Sequence, residues 1–194
     1  SVTPAVVQTL AKKGLVELYE HERLRSANAD APLPPLTPVK LSAEQQQAFA
    51  GLCSQYRSGK ASAALLYGVT GSGKTSVYMN LIDRVLADGR QVLVLVPEIS
   101  LTPQMLQLFL SRYGRRVAVQ HSALAIGERV DEWKRIKRGE ASVVIGTRSA
   151  VFAPFSSLGL IVMDEEQEHT YKSESTPRFN ARDAARFRAA YGKG

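Results

Sequence analysis

The chain has 194 residues, and 44% of them are hydrophobic, enough for one packed domain plus a small appendage, which excludes wholesale disorder. A net charge of +7 and a pI near 9.7 favour polyanionic partners without specifying any. The single cysteine, Cys53, excludes an internal disulfide or a thiolate-rich zinc site within these residues. The start lacks a basic leader with a long apolar run, and no stretch approaches the ~20 apolar residues a membrane helix needs. A soluble cytoplasmic chain is expected.

In chain order, "TPAVVQTLAKKG" predicts a short helix capped by Thr3, with Pro4 at its first position and Gly14 as its stop. "LVELYE" alternates as a strand does. Helix, glycine and strand resemble the end of a winged-helix module, so residues 1–25 are read as a remnant of one. Residues 26–40 hold four prolines between positions 32 and 38 and predict a semi-rigid linker, and residues 41–194 form the main domain.

Within that domain "LSAEQQQAFAGLCSQY" predicts a capped amphipathic helix and "ASAALLY" a strand. A helix follows from Lys74 to about Ala87, then the buried strand "RQVLVLV", a helix after "SLTP", and the strand "RVAVQH". "IGERVDEWKRIKRG" predicts a helix with Ile126, Val130, Trp133 and Ile136 along one face and Lys134, Arg135, Lys137 and Arg138 on its solvated side. Two further apolar strands, "ASVVIG" and "LGLIVMD", precede a last helix, "ARDAARFRAAY". Continuous apolar strands separated by helices imply an α/β fold with a parallel sheet covered on both faces.

Chemistry concentrates in two places. "GVTGSGKT" fits the phosphate-binding pattern, with Gly68, Gly73, Lys74 and Thr75 at its fixed positions and Val69, Thr70, Gly71 and Ser72 between them. Glycines there let backbone amides turn towards phosphate oxygens, Lys74 reaches the terminal phosphates, and the Thr75 hydroxyl suits Mg²⁺. The second place is "MDEEQEHTYK", directly after an apolar strand. Asp164 is expected to support the magnesium, and Glu165 to orient or deprotonate an attacking water. Glu166 and Glu168 read as exposed charges. His21, His121 and His169 have no ligand spacing.

"GVTGSGKT", "VPEISLTPQ", "HSALAIGERVDEWKRIKRGEASVVIGTRSAVFAPF" and "DEEQEHTYKSESTPRFNARD", in this order, resemble the first motor lobe of the bacterial replication-restart DNA helicases of superfamily 2. The resemblance implies a three-layer RecA-like lobe, ATP with Mg²⁺, and a DNA-dependent ATPase moving 3′ to 5′. It implies forked and single-stranded DNA, primosome proteins and single-strand DNA-binding protein as partners, and a winged-helix module before the motor. It makes Gln45 the adenine-recognising amide, or else a surface glutamine, and Thr102, Gln104, Thr147 and Arg148 contacts to the nucleic-acid backbone, with Thr102 and Ser100 equally able to cap helices. Tyr171 and Phe179 become base-stacking residues, or else anchors of their loop on the core. Gln167 stands where a histidine is usual, as does Asn180; Gln167 keeps a hydrogen-bonding role towards nucleotide but cannot titrate. Without a second lobe, these residues are expected to bind Mg-ATP and hydrolyse it slowly. The alternatives are another superfamily 2 translocase, a phosphate-loop kinase, and a non-catalytic nucleotide-binding module.

Overall fold

The computed structural model describes residues 4–17, 32–36 and 39–191. Four parallel strands form one sheet in the order β2-β3-β1-β4, with β1 at Gln91–Leu95, β2 at Val117–Gln120, β3 at Val143–Gly146 and β4 at Leu158–Met163. Val92 to Leu95 pair with Val143 to Gly146 on one side and with Leu160 to Met163 on the other. Parallel neighbours demand crossovers, and the helices that supply them cover both faces.

Alternation along the strands divides the core in two. Val92, Val94, Val117, Val119, Val143 and Ile145 face α3 (Lys74–Ala87) and α4 (Pro103–Tyr113), where Tyr78, Ile82, Val85 and Phe109 meet them. Leu93, Leu95, Ala118 and Val144 face the opposite layer, with Ile136 from α5 (Ile126–Lys137) and Ala181 and Ala185 from α6 (Ala181–Tyr191). Helix, sheet and helix make the expected three-layer α/β lobe. The chain leaves β1 towards β3 and β2 on one side and returns to β4 on the other. The crevice at the carboxyl ends of β1 and β4 is therefore the switch point at which such sheets place their ligands.

Several expectations are corrected. "ASAALLY" forms no strand: residues 61–67 have no regular structure and lie outside the sheet, with Leu65 76% and Tyr67 91% exposed. Three alanines and a serine offer little apolar area, so burial cannot hold this segment in place. The sheet ends at β4, whose residues are all only half-buried. At the N-terminus, Pro4–Lys12 is helical (α1), but Leu15 and Val16 form a bend and Glu17 has no regular structure, rather than a strand. The proposed cap Thr3, the rest of "LVELYE" and most of the linker lie outside the described residues.

The described part of the linker is a packed segment. Leu36 joins the first core cluster, and a Cβ on Gly114 would sit 1.8 Å from the Pro32 carbonyl oxygen. Gly114 also has φ +53, so this crossing requires glycine twice over.

Helix α5 is rotated relative to the expectation. Ile136 is buried, but Ile126, Val130 and Trp133 face solvent, while Asp131, Glu132 and Arg135 point inward. Arg135 is 1% exposed. Its guanidinium pairs with Glu132 at 2.9 Å and donates to the Val117 carbonyl at 3.2 Å and to the Arg115 carbonyl. A planar fork with this many acceptors can be buried without an unpaired donor, which a count of polar residues does not reveal.

Candidate nucleotide site

Helix α2 (Ala43–Arg57) begins with a reciprocal cap: Ser42 Oγ accepts from the Gln45 amide, and Gln45 Oε1 accepts from the Ser42 amide at 2.9 Å. The remaining end of Gln45 reaches the phosphate loop, Nε2 donating to the Ser72 carbonyl at 2.9 Å. One side chain thus ties the helix start to the loop. Serving as an adenine partner requires it to exchange these contacts.

The loop turns through Gly71 and Gly73, both at positive φ (80° and 77°). A Cβ on Gly68 would meet Ser72 Oγ at 2.6 Å, and one on Gly73 would meet Gln45 Nε2 at 2.4 Å. Gly73 provides no side-chain cap for α3, and Ser76 is the first residue of the helix whose amide meets the Gly73 carbonyl, leaving the Lys74 and Thr75 amides as donors at the loop. That concavity of donors at a positive helix end fits a phosphate chain. Lys74 folds back on the loop, Nζ donating to Gly68 O at 2.7 Å and to Val69 O at 3.1 Å.

One turn into α3, Tyr78 connects this loop to the acidic motif. Its hydroxyl hydrogen-bonds Asp164 Oδ2 at 3.1 Å and also meets the Thr75 hydroxyl. Burial, followed by the charge of Asp164, raises the Tyr78 pKa far above its usual range, so the hydroxyl stays protonated. Thr75 and Asp164, the two residues expected at Mg²⁺, therefore share one bridging side chain. Mg²⁺ keeps most of its shell as water and phosphate oxygen and needs few protein ligands, which suits a hydroxyl and a carboxylate. Sequence reasoning missed Tyr78. Its signal was the helical offset of three from Thr75, hidden because a tyrosine there reads simply as core.

Asp164 follows β4, its amide donating to the Leu95 carbonyl at 2.9 Å. Glu165 takes the left-handed conformation at φ 47°, unusual for a side-chain-bearing residue, and its Oε2 accepts from Ser100 Oγ at 2.9 Å. Ser100 belongs to the turn after β1, so this bond spans the switch-point crevice.

Tyr171 is 2% exposed, and its hydroxyl lies between the carbonyls of Leu95 (2.9 Å) and Asp164 (2.5 Å). Its ring cannot stack on a base from there; it anchors the acidic turn on β1. Arg148 acts alongside it, donating to the carbonyls of Thr170 (3.1 Å) and Lys172 (3.2 Å). Thr147 is buried, and its amide donates to the Gln120 carbonyl, so neither Thr147 nor Arg148 is turned outward to a phosphate. Thr102 is exposed but caps α4, its Oγ accepting from the Met105 amide at 3.2 Å. Gln104 and Gln167 are exposed, and Phe179 is half-buried, edge-on to Phe152 at 4.9 Å. The structure thus gathers Gln45, Gly68 to Thr75 and Asp164 near one another, and sets Arg148, Tyr171 and Phe179 in a neighbouring region where the first two hold the backbone. Glu166 is paired with Arg182 from α6.

Comparison with known proteins identifies the family. Residues 42–182 match the DEAD/DEAH box helicase family, and the chain belongs to that family. More particularly, it is 46% identical over 187 residues to the replication restart protein PriA of Bacillus subtilis (strain 168), covering 96% of this chain and 23% of that protein. It is 45% identical over 191 residues to PriA of Synechocystis (95% and 22%), and 47% identical over 146 residues to PriA of Haemophilus influenzae (75% and 20%). The chain spans about a fifth to a quarter of the length of these relatives. Among the described residues no helix is long and apolar enough to cross a membrane.

Proposed function

We propose that these residues are the ATP-binding lobe of a replication-restart DNA helicase, a DNA-dependent ATPase moving 3′ to 5′ on forked and single-stranded DNA in the bacterial cytoplasm. The observation that carries this reading is the Tyr78 hydroxyl set between Thr75, at the phosphate loop, and Asp164, at the end of β4. Two remote motifs are thereby brought to one point, as metal-assisted phosphoryl transfer requires.

The loop amides and the start of α3 bind the phosphate chain, and Lys74 exchanges two neutral carbonyl acceptors for charged phosphate oxygens, a stronger bond. Mg²⁺, when bound, would supply Lewis-acid charge to the transferring phosphate. Thr75 and Asp164 would hold it, with Tyr78 fixing their orientation. Glu165 orients a water and takes its proton on a carboxylate oxygen once released from Ser100. That release couples the acid to the turn after β1. Gln167, exposed on the same turn, offers a hydrogen bond towards nucleotide but no proton exchange near neutral pH. Helix α1 and the proline segment belong, on this reading, to the end of a winged-helix module and its linker. Primosome proteins and single-strand DNA-binding protein are partners of the whole protein.

The test compares ATP hydrolysis by the full-length protein with and without forked DNA. Stimulation by DNA, abolished by Glu165→Gln while nucleotide affinity is retained, is expected. Hydrolysis indifferent to DNA but dependent on a small phosphoryl acceptor would contradict the helicase reading. These residues by themselves should bind Mg-ATP and turn it over very slowly, because stabilising the transferring phosphate takes an arginine from outside this lobe.

A further inference from the structure

Helix α5 presents its apolar and cationic residues outward and its acids inward. Ile126, Val130, Trp133 and Lys137 recur at offsets of four, three and four, one stripe on a helix, and all are exposed, Trp133 at 43%. Lys137 Nζ lies 5.1 Å from the centroid of the Trp133 ring. Directly opposite, Asp131 and Glu132 are buried, and Glu132 is neutralised by Arg135. The remaining acid of the helix, Glu128, is occupied in capping the Ala125 amide at 3.0 Å. A helix that is nearly charge-balanced in sequence is therefore cationic on its outer side, with Arg129 and Lys137 exposed beside the aromatic ring, while Arg138 just beyond is paired with Glu140 at 3.9 Å.

An apolar protein partner would gain nothing from these cations, whereas a single-stranded nucleic acid matches both features: unpaired bases stack on the ring, and phosphates meet the ammonium and guanidinium groups. A duplex matches only the second, since its bases are already stacked. We propose that the outer face of α5 is a stacking contact for single-stranded nucleic acid, centred on Trp133 and Lys137. The helix follows β2, at the sheet edge remote from β4, so this contact is separate from the nucleotide site. The inference extends the DNA-motor reading but requires no nucleotide chemistry.

Trp133 is the only tryptophan in the chain, so its fluorescence reports this contact directly. Titration of the protein with a short oligothymidylate, without nucleotide, should quench that emission in step with binding read by anisotropy of a labelled strand. Inorganic polyphosphate should bind without comparable quenching. Trp133→Ala should weaken oligothymidylate binding roughly tenfold, Trp133→Phe should restore most of it, and Arg129→Ala with Lys137→Ala should lower the salt dependence by about two phosphate equivalents. The same quenching in the Lys74→Ala protein would separate this contact from the nucleotide reading, since a failure of either leaves the other measurable. Strand binding that leaves the emission unchanged would overturn the proposal. So would undetectable strand binding, or self-association through this face that Trp133→Ala abolishes.

Discussion

The two halves of the nucleotide site are held in opposite ways. The acidic half is fastened from several directions: Tyr171 ties Asp164 to β1, Arg148 gathers the carbonyls of the following turn, and Ser100 holds Glu165 across the crevice. The phosphate half rests on its own side chains, with Lys74 turned onto the loop carbonyls, Gln45 braced against Ser72, and the preceding segment exposed outside the sheet. On the proposed reading, Asp164 and Glu165 would be in place before nucleotide arrives, while the loop would trade internal hydrogen bonds for phosphate. Preorganisation is concentrated where charge must be precise, and adaptability where the ligand supplies strong partners of its own.

Truncating a fastener should expose the contrast most strongly. Tyr171→Ala removes a buried ring and two carbonyl contacts and should cost about 3–5 kcal/mol in chemical denaturation. Lys74→Ala should do the reverse, weakening ATP binding by about 2–3 kcal/mol in calorimetry while changing stability by less than about 0.5 kcal/mol. Equal stability losses in the two variants would erase the distinction.

A pH series sharpens it further. Burial raises the pKa of Tyr78, Tyr113 and Tyr171 above the usual value of 10, with the carboxylates of Asp164 and Asp83 adding to the effect. Each tyrosine therefore ionises first in the unfolded chain. Its contribution is intact below pH 10 and is lost as pH rises past that value, at about 1.4 kcal/mol per pH unit for each ring. Tyr171→Phe and Tyr78→Phe should each make the alkaline slope shallower by one proton; an unchanged slope would show that these hydroxyls are not shielded. The smallest effect is expected from Ser100→Ala, about 1 kcal/mol or less in stability. It should, however, change the DNA dependence of full-length hydrolysis by freeing Glu165.

What could be read from the sequence follows the same division. The strand Gln91–Leu95 is buried at every position, and its unbroken apolar run announced it; the phosphate loop was equally plain, because its glycines and Lys74 occur at fixed spacing. Asp164 could be placed because an apolar strand delivered it. "ASAALLY" looked like a strand through its last three residues, but strand formation needs a neighbour and buried area that local sequence cannot guarantee. Helix α5 misled for a different reason: a buried arginine with carbonyl partners and an exposed tryptophan invert the rule that apolar faces turn inward. Tyr78 was hidden because its role depends on a hydroxyl partner distant in sequence, whereas Tyr171 follows the anchoring one of its two readings, with partners the sequence did not name.

We propose that the phosphate loop and Asp164 form a single magnesium-nucleotide site. Calorimetric titration of ATP, with and without Mg²⁺, into the unaltered chain and its Asp164→Asn variant tests it most directly. The account predicts that Mg²⁺ strengthens binding to the unaltered chain and that the substitution removes most of this gain while metal-free binding persists. An equal Mg²⁺ gain in both proteins would contradict it.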